Sequence, residues 1–288
     1  MRMGLECVTC FIRQAVKASR AAGAGREATE RAVREVMRVL LREGWDRSPP
    51  EVARPVYRAI RSALGVNDPY REVKRRSNEE MMALYPRLKE VVRRASDPLE
   101  AAVRVAIAGN VIDYAALETY DVMGTVEEVF RKDFTINDYW ELSEAVRGAD
   151  KLLYFADNAG EIVADKLLIE TMIRVRGRPF TRVTFVVKGG PIINDATVED
   201  AVAVGIPDIP NLTIKTISNG DPGTGPDRGD PEVLKWFEEH DLRVLKGQGN
   251  YEGFDSFKDS FFLLIVKCEP VASSIGAKVG DIVLKHNP

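Results

Sequence analysis

The stretch Lys151-Leu-Leu-Tyr-Phe-Ala-Asp-Asn-Ala-Gly-Glu161 decides how the chain is read. A largely apolar run through Ala156 stops at an acid and an amide. A small residue, a glycine and a second acid follow, and the amphipathic run Ile162 to Ile173 begins directly afterwards. That order describes a buried strand, a tight turn and a helix. It puts Asp157 and Asn158 at the carboxyl end of a strand, where open α/β sheets bind their ligands. Two adjacent hard-oxygen side chains there suit Mg²⁺, Mn²⁺ or a similar ion.

On the C-terminal side of Gly148, β-rich runs recur at Lys151–Ala156, Arg182–Val187, Leu212–Ile217, Leu242–Leu245 and Phe261–Val266. Helical stretches at Glu161–Arg176, Thr197–Val204 and Pro231–His240 separate the first four. Strands alternating with helices predict a largely parallel sheet covered on both faces. On the N-terminal side, apolar residues recur at three- and four-residue spacing over Cys7–Ala22, Glu27–Glu43, Pro50–Leu64, Asp68–Ala95, Pro98–Ile112 and Tyr139–Arg147. Pro50, Pro69 and Pro98 fall near helix starts, where a missing N–H costs little. The segment 121–137 mixes helix and loop signals. The expected fold is α/β: a Rossmann-like three-layer α/β/α sandwich over residues 148–288, carrying the chemistry, preceded by an all-helical domain over residues 1–147.

Composition narrows the class. With 288 residues, 45% hydrophobic, 30% charged and a net charge of −3, the chain reads as an ordinary soluble globular protein. The near-neutral balance argues against nucleic acid as a partner. No apolar run approaches the roughly 20 residues of a spanning helix, so no membrane role is expected. The first residues lack the apolar core of a signal peptide, and a cytoplasmic location is the default expectation. Three cysteines, Cys7, Cys10 and Cys268, are too few for a disulfide scaffold. Glutamine occurs only at Gln14 and Gln248, while arginine and glutamate crowd the helical faces, the drift expected of a heat-adapted protein. Nothing in the pattern signals an oligomeric state.

The strands of the second half are each followed by a polar segment: Asp157-Asn-Ala-Gly-Glu161, Lys188-Gly-Gly-Pro-Ile-Ile-Asn-Asp195, Ser218-Asn-Gly-Asp-Pro-Gly-Thr-Gly225, Lys246-Gly-Gln-Gly-Asn-Tyr-Glu252 and Lys267-Cys-Glu-Pro-Val271. In a parallel sheet these emerge along one edge. Carboxylates and an amide oxygen suit a hard divalent ion; lysines and glycine-loop N–H groups suit phosphoryl oxygens. Such an ion can polarise phosphorus and acidify a water. The only histidines, His240 and His286, fall outside these loops, which disfavours a Ser-His-Asp hydrolase and a His-rich zinc site. The first loop has one glycine where a dinucleotide fingerprint needs three, and no nucleotide triphosphate loop is present. Plainer roles stay open: Asp-Asn after a strand also serves as a turn or cap, and Lys188 or Lys267 alone suits a solvated surface.

Taken together, Asp-Asn-Ala-Gly-Glu, Lys-Gly-Gly-Pro-Ile-Ile-Asn-Asp-Ala-Thr, Ser-Asn-Gly, Lys-Gly-x-Gly-Asn-Tyr-Glu and Lys-Cys-x-x-Val-Ala resemble the damage-control phosphatase family, formerly domain of unknown function 89. Ala108-Gly-Asn-Val-Ile-Asp-Tyr114 also resembles a family motif, and Cys7-Val-Thr-Cys10 points to the archaeal and bacterial subfamily with N-terminal cysteines. The resemblance implies a metal-dependent phosphatase using Mn²⁺, Co²⁺, Ni²⁺ or Mg²⁺ on small-molecule phosphate esters, including sugar phosphates and damaged metabolites. Matched residue by residue, it implies Asp157, Asn158 and Asp195 as metal ligands and Lys267 as a phosphate-binding residue. Relatives carry Arg-Thr-x-Lys where this chain has Leu264-Ile-Val-Lys267, so only the lysine of that pattern is kept.

Lys188, Asn219 and Asn250 join as phosphate or substrate contacts, with a turn role as the alternative for Asn250. Asn110 and Asp113 match a motif that the helical domain contributes to the cleft, with a salt-bridge or packing role as the alternative for Asp113. Glu161 orients the attacking water or caps the helix it begins. A metal-bound water is the simpler nucleophile and direct attack by Asp157 the alternative. Cys7, Cys10 and Cys268 are either buried small hydrophobes or three thiols converging beside the site for a soft metal, a cluster or a redox switch. Two other functions compete: an S-adenosylmethionine-dependent carboxyl methyltransferase, against which the single-glycine first loop and the basic Lys188-Gly-Gly loop weigh, and a cysteine-based redox or metal-binding module.

Overall fold

The computed structural model describes residues 3–47, 49–112, 122–218 and 231–288; the side chains at 50, 110–112, 122, 123, 125 and 126 lie outside that description. Helices α1 (Leu5–Ala21), α2 (Arg26–Arg42) and α3 (Pro49–Leu64) come first. Ala15 and Ala18, Ala32, Val36 and Val39, and Val52, Val56 and Ile60 are buried at three- and four-residue steps, and they pack into a cluster of their own. Then follow α4 (Arg71–Arg94), α5 (Pro98–Ile112), α6 (Val122–Arg131), β1 (Ile136–Asn137) and α7 (Tyr139–Gly148). The alternating part runs β2 (Lys151–Phe155), α8 (Glu161–Arg176), β3 (Arg182–Lys188), α9 (Val198–Ala203), β4 (Leu212–Ile217), α10 (Pro231–Glu239), β5 (Leu242–Lys246), α11 (Gly247–Phe254), β6 (Ser260–Ile265), α12 (Glu269–Ile275) and β7 (Ile282–Asn287).

The sheet has seven strands in the order β1-β7-β6-β5-β2-β3-β4. Strands β2 to β6 are mutually parallel, β7 runs antiparallel to β6, and β1 is parallel to β7. Tyr154 of β2 faces Phe185 of β3 on one side and Val244 of β5 on the other. The chain therefore steps outward from β2 to β4, then returns to the other side of β2 with β5. That reversal creates a crevice at the carboxyl ends of β2 and β5, the place where doubly wound sheets hold ligands.

Alternate strand residues face opposite layers. Leu152, Tyr154, Phe185, Val244 and Leu263 pack with Val103 and Ile107 of α5 and Leu168 and Ile169 of α8. Leu153, Phe155, Val186, Leu245 and Phe262 pack with Trp236 and Phe237 of α10, Phe254 of α11 and Val271 of α12. This is the expected α/β/α sandwich. The buried apolar residues of α4, α5, α6 and α7, such as Leu88, Ile107, Val129 and Leu142, belong to the sheet's own cluster. The apolar cores thus divide within the first turn of α4, whose Val73 still packs on the first cluster.

Four features differ from the sequence reading. β1 is too short for any periodicity to show, and β7 gains its place by pairing with β6 across α12 rather than by a strand–helix pattern. The glycine-rich segment after β5 is not a loop: α11 begins at Gly247 immediately after Lys246. The segment after β6 likewise winds into α12 two residues beyond Lys267.

Candidate active site

β2 is buried along nearly its whole length and must release its chain at the crevice. There the backbone crosses to the loop after β3. The Ala196 N–H donates to the Asp157 carbonyl at 2.8 Å, and the Ala159 N–H donates to the Asn194 carbonyl at 2.9 Å. Asn158 and Asp195 face one another as an isolated antiparallel bridge. Main-chain hydrogen bonds alone therefore bring Asp157, Asn158 and Asp195 together. Lys188, the last residue of β3, has its Nζ 3.7 Å from Asp195 Oδ2.

The Asn158 side chain is buried, and its Nδ2 donates to Asp157 Oδ2 at 2.9 Å and to Glu161 Oε2 at 3.1 Å. Two carboxylates hold the amide nitrogen, so the amide oxygen is the atom turned away from them. On the other side, Gly247 lies against Asp157. Its φ is +79°, and a Cβ built on it would overlap the Asp157 carboxylate. Both the left-handed backbone and the close approach require glycine.

Behind this front lies a sealed ion cluster. Lys246 is fully buried; its Nζ donates to Glu161 Oε1 at 2.5 Å, Asp165 Oδ1 at 2.7 Å and the Ala106 carbonyl of α5 at 2.8 Å. Tyr154 Oη donates to the same Asp165 oxygen at 2.7 Å. Burial works against the Lys246 ammonium, yet Asp165 and Glu161 outweigh it and hold its pKa above the ordinary lysine value. Burial pushes Asp165 up to about 6, with Lys246 pulling the other way. Glu161 is thus shared: one oxygen holds Lys246, the other holds Asn158. Helix α5 closes over it, and a Cβ on Gly109 would stand 3.3 Å from Glu161 Cγ.

Several expected roles change. Glu161 is 1% exposed and begins α8 after its N-cap Gly160, and its Oε2 accepts the Asn158 amide. Asn250 is 3% exposed and its Nδ2 donates to the carbonyls of Ala156 and Lys246 at 3.0 and 2.7 Å. It braces the ends of β2 and β5, and its amide nitrogen is already taken up there. Lys246, expected among the loop lysines that suit phosphoryl oxygens, is instead buried in this cluster, and Asp165 carries no expectation from the sequence. Their signal was a lysine closing an apolar strand and a second acid one turn after Glu161. Lys267 follows β6, and its N–H donates to Gln248 Oε1 at 3.0 Å, which ties its segment to α11. Asp113, Asn219 and the side chain of Asn110 lie outside the described residues.

The three free cysteines share one neighbourhood where α1 meets the segment after β6. Gln248 Nε2 donates to Cys268 Sγ at 3.2 Å and to Glu252 Oε1 at 2.9 Å. Burial raises the Cys7 and Cys268 thiols, and the nearby Glu252 and neighbouring thiols push the same way. Both stay protonated at neutral pH, which does not suit an activated thiolate. Among the described residues no three histidine, cysteine or acidic side chains are grouped as ligands. The front set answers a different chemistry. Two carboxylates and an amide oxygen make an all-oxygen donor set, which fits a hard divalent ion.

The damage-control phosphatase ARMT1-like domain matches residues 3–283. A damage-control phosphatase of Archaeoglobus fulgidus is 36% identical over 99% of both chains. A damage-control phosphatase of Pyrococcus horikoshii is 32% identical over 100% of this chain and 99% of its own. The crystal structure of a DUF89 family protein from Pyrococcus horikoshii superposes with a TM-score of 0.86 at 30% identity, covering 100% of both chains. The chain belongs to the damage-control phosphatase ARMT1-like domain family.

Proposed function

We propose that this chain is a divalent-metal-dependent phosphatase acting on phosphate monoesters of small metabolites. The observation that carries the reading is the apposition of Asp157 and Asn158 with Asp195 at the topological reversal between β2 and β5. Family membership and the names of the full-length relatives support the reaction class. Asp157, Asn158 and Asp195 would hold the ion, with Mn²⁺, Co²⁺, Ni²⁺ and Mg²⁺ as candidates. When bound, it supplies charge to polarise the phosphoryl group and acidify a water.

The chain's own residues supply the rest. Lys188 ends β3 beside Asp195, and Lys267 follows β6, two strands away from β2; both cations would offset phosphoryl charge. Asp157 is fixed by the Asn158 amide and flanked by Gly247. A fixed carboxylate fits a ligand role better than an attacking one, which favours water as the nucleophile. The methyltransferase alternative loses ground because β3 ends in Lys188, where an adenosine ribose calls for an acid. No described helix is long and apolar enough to cross a membrane. A cytoplasmic setting and heat adaptation belong to the same proposal.

The test is phosphate release by EDTA-stripped protein across a panel of phosphorylated metabolites, with each divalent ion added back. Release from at least one ester only when an ion is restored is expected. Equal release with and without metal would overturn the metal dependence, and no release under any condition would overturn the phosphatase reading.

A further inference from the structure

Helix α4 belongs to the helical half of the sequence, yet it reaches both segments that carry the presumed ligands. Asn78 is 5% exposed. Its Oδ1 accepts the Gly160 N–H at 2.6 Å, and its Nδ2 donates to Asp200 Oδ1 at 3.0 Å. Gly160 closes the turn that holds Asp157 and Asn158. Asp200 Oδ2 accepts the Thr197 N–H at 2.9 Å and the Thr197 hydroxyl at 2.7 Å, which anchors the chain two residues beyond Asp195. One side chain therefore ties together the two turns from which the ligands project.

The partners dictate the residue. Gly160 offers only a donor and the Asp200 carboxylate only acceptors, so a group with one acceptor and one donor on a short stem is required. The neighbouring side chain leaves no slack: a Cβ on Gly160, whose φ is +77°, would stand 2.9 Å from Ser77 Cβ. Lys74, one turn earlier on α4 and 4% exposed, fixes the far end with its Nζ 3.3 Å from Asp200 Oδ2 and 2.9 Å from Asp68 Oδ2.

We propose that Asn78 is a positioning residue that sets the separation of the Asp157–Asn158 turn from Asp195, with Lys74 and Asp200 fixing its outer end. This rests on the metal-site reading above. Residues that orient ligands without touching the ion typically change metal affinity by roughly 10- to 100-fold when removed. The test is Mn²⁺ binding to the stripped full-length chain by calorimetry, without substrate, for wild type, Asn78→Ala and Met81→Ala. Met81 lies on the same helix and is buried in the apolar cluster, so its truncation destabilises while removing no hydrogen bond to either turn.

Asn78→Ala is expected to weaken Mn²⁺ about tenfold, while Met81→Ala lowers the melting temperature and leaves Mn²⁺ affinity unchanged. Asn78→Leu, close in size but able to make neither hydrogen bond, gives the same direction should the alanine variant not fold. Wild-type affinity in both Asn78 variants, or an equal loss in Met81→Ala, would overturn the proposal alone. Absence of Mn²⁺ binding by the wild type would overturn the metal-site reading and this inference with it.

Discussion

Two polar clusters meet at Glu161, and they are built on opposite principles. The rear cluster of Lys246, Glu161, Asp165 and Tyr154 is sealed, with both salt-bridge partners of Lys246 fully buried. The front cluster of Asp157, Asn158, Asp195 and Lys188 lies at the carboxyl ends of the strands, and the Lys188–Asp195 ion pair spans 3.7 Å between partly exposed groups. At the rear, one cation is enclosed by two carboxylates and a carbonyl, all from within the protein, and the cluster serves the fold. The front carboxylates lie at strand ends, Asp157 beside the Asn158 amide and Asp195 beside Lys188, where polar groups serve a ligand more than the fold. Perturbing each cluster should therefore move different observables.

The largest effect is expected at the front. Asp157→Ala should lower metal-supported phosphate release on the order of 10³-fold, while urea unfolding shifts by no more than about 1 kcal/mol. A large loss of stability there would erase the distinction between the clusters. At the rear, Lys246→Met leaves two carboxylates buried without their cation. It should destabilise by roughly 3–5 kcal/mol, measured as the urea midpoint, and adding Glu161→Gln and Asp165→Asn should restore much of that loss. Gly247→Ala sits at the seam. A left-handed backbone costs a non-glycine residue roughly 1–2 kcal/mol, and the new methyl displaces Asp157, so activity should fall further than stability does.

The smallest effect is in alkaline solution. Lys246 and Lys74 both have folded-state pKa values raised above the ordinary 10.5. Their contribution is complete below about 10.5 and is lost as pH climbs through the raised values. Wild-type stability should decline in that range. A Lys74→Met variant, less stable throughout, should show a shallower decline in the same urea series.

The front of the site was legible because its signals are local. An apolar strand broken by Asp-Asn-Ala-Gly-Glu places Asp157 and Asn158 without any knowledge of distant chain. Asp195 needed the family resemblance, since its partnership with Asn158 is made by backbone pairing across a strand–helix–strand unit. The rear cluster was illegible because its contacts are long-range: Lys246 meets Glu161 and Asp165 across separations of 85 and 81 residues. Asn78 escaped for the same reason, lying 82 residues from Gly160 and 122 from Asp200. Gly247 was misread as loop because a glycine that makes room for a carboxylate looks, in sequence, like a glycine that makes a turn. The alternating strands and helices were clear, whereas the antiparallel β7 carries no pattern of its own beyond a short apolar run.

The most direct test of the central claim is a calorimetric titration of stripped wild type, Asp157→Ala and Asp195→Ala with Mn²⁺ in the absence of any substrate. One ion per wild-type chain and loss of that binding in both variants are expected, with melting temperatures close to wild type. Undiminished binding in either variant would show that the ion, if held at all, is held elsewhere, and would contradict the assignment of Asp157, Asn158 and Asp195 as its ligands.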